Sequence, residues 1–167
     1  MRSTRPTSRI ITLPALIGAG VTLASALLTR LAVGSPLAVL HKLGAAAILP
    51  PLWLMSLVWL ASFASAGAIA GYLLACPAGH AARETALWRG ATFFVLAMVF
   101  SLVWYTLLFG KLCLLPSWLC LFLSAASAAV CGLSWGKLFL GGAWILFGFA
   151  VWQTVLILFQ LCILLQM

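Results

Sequence analysis

The chain alternates long apolar runs with short polar breaks, and the breaks carry nearly all of its charge. The first run covers residues 10–33 and is interrupted only by Arg30, near its end. A second covers 51–74 and stops at the turn Cys76-Pro77-Ala78-Gly79, and a third covers 87–109 and stops at Gly110-Lys111. The fourth, 116–133, opens on Pro116, which suits a first helical turn because the N–H it lacks has no partner there. The fifth covers 138–166. A helix needs about 20 apolar residues to cross the hydrocarbon core of a bilayer. The pattern therefore predicts an all-α membrane protein, a bundle of five transmembrane helices in one domain over residues 1–167, with no soluble appendage. The opening "MRSTRPTSR" before an apolar run imitates a secretory signal, but the run exceeds the usual 7–15 residues of such a signal and reads as a retained span. The longest connection, 34–49, has the length to fold over one end of the bundle as a lid.

Composition supports lipid as the solvent. The chain is 66% hydrophobic and 6% charged, with Glu84 its one acidic side chain. A water-soluble fold would have almost nothing to place on its surface, whereas in lipid apolar groups face outward and helices satisfy their own backbone. The formal charge of +8 is scattered at segment ends, so it addresses headgroups and no nucleic-acid partner is expected. Alternating the sides puts Arg2, Arg5, Arg9, Arg83, Arg89 and Lys137 on one face and Arg30, Lys42 and Lys111 on the other, which favours a cytoplasmic N-terminus. Five cysteines with no C-x-x-C spacing point to small packing residues rather than to a metal site or disulfides, and Cys113 and Cys120 are placed on one helix face.

Small residues mark where helices approach one another. Gly67-x-x-x-Gly71 and the run Ser124–Ala129 let backbones come close, which is how helices associate without a hydrophobic drive. Packing within the chain is the expected use, and a homodimer seam is the alternative.

No span has an acidic or basic residue at its middle, which argues against ion-coupled transport and voltage sensing. Paired carboxylates, a nucleophile with a base, and a phosphate loop are also lacking, and His41 and His80 lie in connections. No catalytic residue and no metal ligand is expected. What the spans do carry is aromatic. Trp53, Trp88, Trp118 and Trp144 fall near span ends and suit an interfacial belt. Trp59 lies deeper, and at 100° per residue it points about 120° away from Trp53, so the two cannot line one surface. Trp59 heads a stripe with Phe63, Ala66 and Ala70; Phe94, Ala97, Ser101, Trp104 and Leu108 form a second, and Trp152, Leu156 and Gln160 a third. Converging, the stripes would make an aromatic pocket with few polar groups, suited to a flat hydrophobic ligand. The plain alternative is that they fill the core.

Taken together, these residues resemble the TspO/MBR family, the tryptophan-rich sensory proteins and the mitochondrial translocator protein. The likeness rests on Pro50-Pro51-Leu52-Trp53 followed by Val58-Trp59 and Gly67, on Trp104 ahead of Phe109-Gly110, and on Phe147-Gly148-Phe149 ahead of Trp152 with Gln160 eight residues on. It runs from Pro50 to the C-terminus. The chain departs from the family where Leu37–Leu49 lacks a Trp and a Lys-Pro, where Ala61 and Phe63 replace Thr and Tyr, and where Ala97 and Ser101 replace Gln and Asn. Gly148 stands where the family has proline.

The resemblance implies a membrane receptor or sensor, regulatory or stress-related, that binds a porphyrin or other haem-type tetrapyrrole, or a sterol-like lipid, and requires no further cofactor. Its ligand-binding residues would be Met55, Ser56, Trp59, Phe63, Ser101, Trp104, Trp152 and Leu156, with Ser101 the remaining polar contact. Light-dependent porphyrin breakdown, associated with some members and attributed to tryptophans, would give Trp59 and Trp152 a catalytic role, but the chain is not expected to be an enzyme. The location implied is a bacterial cell membrane, or the mitochondrial outer membrane in a eukaryote. A small transporter of hydrophobic or lipid cargo is the first alternative, and a structural membrane subunit the second.

Overall fold

A computed structural model describes residues 8–34, 36, 39, 52–76 and 81–166. It contains five long helices: α1 (Ser8–Val33), α2 (Leu52–Ala75), α3 (Ala81–Tyr105), α4 (Leu114–Gly136) and α5 (Leu140–Gln166). All five are long and apolar enough to cross a membrane, and the architecture is that of a multi-pass integral membrane protein. Most of the expected lid, and the Pro50-Pro51 entry, lie outside the described residues.

The helix ends differ from the hydropathy reading in physically simple ways. α3 begins at Ala81 rather than 87, because its first turns are polar, exposed and helical, with Glu84 near the positive end of the helix dipole. α4 begins at Leu114, which leaves Pro116 still within the first turn and Cys113 just outside it, so Cys113 and Cys120 do not share a helix face. α3 also does not stop cleanly. Its last turn, Thr106–Gly110, widens to π-helical, and Leu112 follows with a left-handed φ of 54°.

Packing is closest between α1 and α2, α3 and α4, and α4 and α5, while α2–α5, α1–α3 and α2–α3 meet more loosely. Each close seam holds a hydrogen bond from a side chain to a carbonyl across the interface. Thr22 Oγ1 donates to Phe63 O (2.7 Å) between α1 and α2. Ser124 Oγ donates to Ala97 O (2.8 Å) and Trp135 Nε1 to Leu87 O (3.0 Å) between α3 and α4. Gln160 Nε2 donates to Leu114 O (2.8 Å) between α4 and α5. Within membranes such bonds average about 0.6 kcal/mol, so close packing carries more of the association than they do.

The glycines make that packing feasible. At Gly67 a Cβ would collide with Thr22 and the Gly18 carbonyl, and at Gly71 with the Pro14 carbonyl. The face bearing Gly67 and Gly71 is thus packed against α1 of the same chain, as the small-residue spacing predicts. Gly90 performs the same service for a side chain, leaving the hollow that the fully buried Trp135 ring fills. Outward-facing residues such as Leu16, Val21, Leu31, Leu133 and Val151 are exposed and apolar, as a lipid-facing surface requires.

Candidate functional site

Where α2, α3 and α5 diverge, at the end of the bundle that holds Arg30, their aromatic side chains surround a cavity of about 30 Å³. Its wall consists of Met55, Ser56 and Trp59 from α2, Trp104, Tyr105 and Phe109 from α3 and its π-turn, and Trp152 and Leu156 from α5. Arg30, in the last turn of α1, and Pro36 complete it. A second cavity of about 20 Å³ lies alongside and shares Met55, Trp104, Phe109 and Leu156 with the first. The two chambers are therefore divided only by side chains, one of them the unbranched, adaptable Met55.

The tryptophans of the sequence stripes do converge. Trp59 is 4% exposed while Trp53 is 68% exposed, as their 120° separation, about six residues at 100° each, requires. Trp59 stacks on Tyr105 with ring centroids 4.8 Å apart and planes 17° from parallel. Tyr105 in turn lies 4.8 Å from Phe109, and Trp104 meets both edge-on near 6 Å. Offset and edge-to-face pairs of this kind contribute about 0.5–1.5 kcal/mol each beyond burial, so the wall formed by α2 and α3 is a rigid one. Trp88 and Trp144 are exposed at span ends, as an interfacial belt predicts.

Six of the eight expected site residues, Met55, Ser56, Trp59, Trp104, Trp152 and Leu156, line this cavity. The other two do not. Phe63 lies one turn deeper than Trp59, fully buried between that ring (4.9 Å) and Phe149 of α5 (6.1 Å), so it is core. Ser101 is also fully buried and already engaged, because its hydroxyl oxygen accepts from Trp59 Nε1 (3.3 Å) and Gln153 Nε2 (3.1 Å). It holds the Trp59 ring in place and is not on the cavity wall. Likewise Trp104 Nε1 donates to Gln160 Oε1 (3.0 Å), and Gln160 ties this bond to Ser117 and Leu114 at the start of α4.

Arg30, Pro36, Tyr105 and Phe109 complete the wall without having been expected there. Three donors and hydroxyls among them and their neighbours set its polarity: the Arg30 guanidinium, the Tyr105 hydroxyl and the Ser56 hydroxyl. Trp152 adds a fourth. Its buried Nε1–H has no acceptor among the described residues, unlike the ring N–H groups of Trp59 and Trp104. Buried polar groups are nearly always satisfied, so an uncommitted N–H on a cavity-lining ring marks a place where an acceptor would be held. Gln153 Oε1, behind the wall, is similarly without a donor among the described residues.

No protein-family model, curated protein or solved structure matches the chain.

Proposed function

We propose that the protein is a TspO-like membrane receptor that holds a flat, hydrophobic ligand, a tetrapyrrole being the leading class, between the rings of Trp59, Trp104 and Trp152. The observation that carries this reading is the convergence of three tryptophans from three different helices, with Tyr105 and Phe109, on one cavity near a bundle end. Stacked and edge-on rings offer contact area at little cost in side-chain entropy, and sequence-tolerant π-faces suit an aromatic macrocycle. Binding sites for ligands of this size occupy about 300–1,000 Å³, so the cavity must enlarge on binding. Two seams that border it, α2–α5 and α1–α3, are loosely packed, and Met55 separates it from the neighbouring chamber.

The small volume favours one competing reading, in which the rings are core filler in a structural subunit. Titrating protoporphyrin IX into the wild type and into Trp59→Leu, Trp152→Leu and Trp53→Leu, matched for helicity by circular dichroism, separates the two. A receptor loses affinity with either of the first two and keeps it with the third. Equal binding by all four means that the porphyrin only partitions into detergent and that the core is filler.

A further inference from the structure

We infer that the ligand carries an anionic group, a carboxylate or an equivalent acid, and that Arg30 holds it at the mouth of the cavity; this rests on the receptor reading above. Among the described residues Arg30 is the one charged side chain on the cavity wall, and it also lines an outer groove with Leu27, Leu31, Gly34 and Pro36. It thus stands in the partition between the aromatic interior and the outside of the bundle. The helix pairings fix what else is near. Pro14 of α1 lies against Gly71 of α2, and Thr22 against Phe63, so the two helices are antiparallel and Arg30 belongs to the end where α2 begins. α3 runs antiparallel to α2, since Trp59 meets Tyr105 near the end of α3, so its first turn lies at the opposite end of the bundle. Glu84, the chain's one acidic side chain, is in that first turn. Among the described residues no carboxylate side chain lies at the cavity end of the bundle to neutralise Arg30.

A guanidinium beside low-dielectric aromatic walls attracts an anion more strongly than one in water, and its fork-shaped set of donors matches a carboxylate in two-bond geometry. Trp152, whose ring lines the cavity, also carries a buried Nε1–H without an acceptor among the described residues. The cavity's uncommitted polar groups therefore ask for acceptors. A neutral sterol, with a single hydroxyl, answers this poorly, and an amphipathic ring system with an acidic substituent answers it well. Arg30 also stands close enough to the outer groove for a lipid phosphate to be the anion, and the experiment has to distinguish the two.

The test uses the full chain in nanodiscs of zwitterionic phosphatidylcholine, with protoporphyrin IX and its dimethyl ester as probes of equal ring size, read by tryptophan quenching. The wild type should bind the diacid about tenfold more tightly than the diester, equivalent to about 1.4 kcal/mol. Arg30→Gln should bring the affinity for the diacid down to about that for the diester, and Arg30→Lys should restore part of the preference. If the wild type binds diacid and diester alike, and Trp152→Leu weakens both, the receptor reading stands and the acid-binding role of Arg30 falls. If the preference persists in Arg30→Gln, Arg30 is paired to lipid phosphate and the proposal is overturned. If neither Trp59→Leu nor Trp152→Leu weakens either probe, the cavity is not the site and both readings fail together.

Discussion

Replacing Gly71 with alanine tests the packing of the bundle at its tightest point. The added methyl would lie against the Pro14 carbonyl and the Ala15 Cα, which are backbone atoms and cannot rotate away. α1 and α2 would have to separate, and overpacking of this kind costs about 1–3 kcal/mol. The separation also lengthens the Thr22–Phe63 hydrogen bond two turns along, adding about 0.6 kcal/mol. A total of about 1.6–3.6 kcal/mol would lower the midpoint of thermal unfolding by about 3–14 °C in a chain of this size. Gly148→Ala is the control, because its Cβ would meet nothing within 4 Å and helix propensity alone should make it neutral or stabilising by about 0.5–1 kcal/mol. Both are to be heated in the same detergent, following the helical signal and the first loss of monodispersity. Equal midpoints for Gly71→Ala, Gly148→Ala and the wild type would refute the close approach of α1 to α2.

Three further outcomes follow from other places in the fold. Gln160→Leu leaves the buried Trp104 N–H without its acceptor, and should cost about 1–3 kcal/mol, read as a lowered unfolding midpoint that Gln160→Glu at low pH partly restores. Leu112→Gly should raise that midpoint slightly, because the left-handed backbone there costs a leucine roughly 1–2 kcal/mol and its side chain, 41% exposed, is only partly buried. Cysteines introduced at Ser3 and Gln166 should react with an impermeant thiol reagent from opposite sides of sealed vesicles, in a background with the native cysteines replaced; labelling from one side would contradict five crossings.

Much of the bundle is legible in the sequence because the signals are local and repeated. Five apolar runs give five helices, and the spacing of Gly67 and Gly71 finds a close seam because only small residues permit backbones to touch. The separation of Trp53 from Trp59 is legible too, since 100° per residue sends one ring to the surface and the other inward. Tyr105 and Phe109 are within reach of the same arithmetic, since Ser101, Tyr105 and Phe109 are four apart on one helix face, but the stripe Ser101, Trp104, Leu108 takes the neighbouring three-and-four path and passes beside them. Arg30 is missed for a different reason. A basic residue in the last turn of a span reads as a headgroup anchor, and only the three-dimensional convergence of α1 with α2, α3 and α5 reveals that it borders a cavity. Phe63 and Ser101 show the converse. Their stripe positions are right, but a stripe records which residues face inward, and whether an inward residue meets a cavity or another side chain depends on how the helices diverge.

The eight tryptophans allow one measurement to test the central claim at every ring simultaneously. With 5-fluorotryptophan incorporated throughout and each ¹⁹F resonance assigned by single replacement, protoporphyrin IX should shift and broaden the signals of Trp59, Trp104 and Trp152. Those of Trp53, Trp88 and Trp144, exposed at the span ends, should stay where they are. Shifts confined to the exposed rings, with Trp59, Trp104 and Trp152 unmoved at saturating porphyrin, would contradict a ligand site inside the bundle.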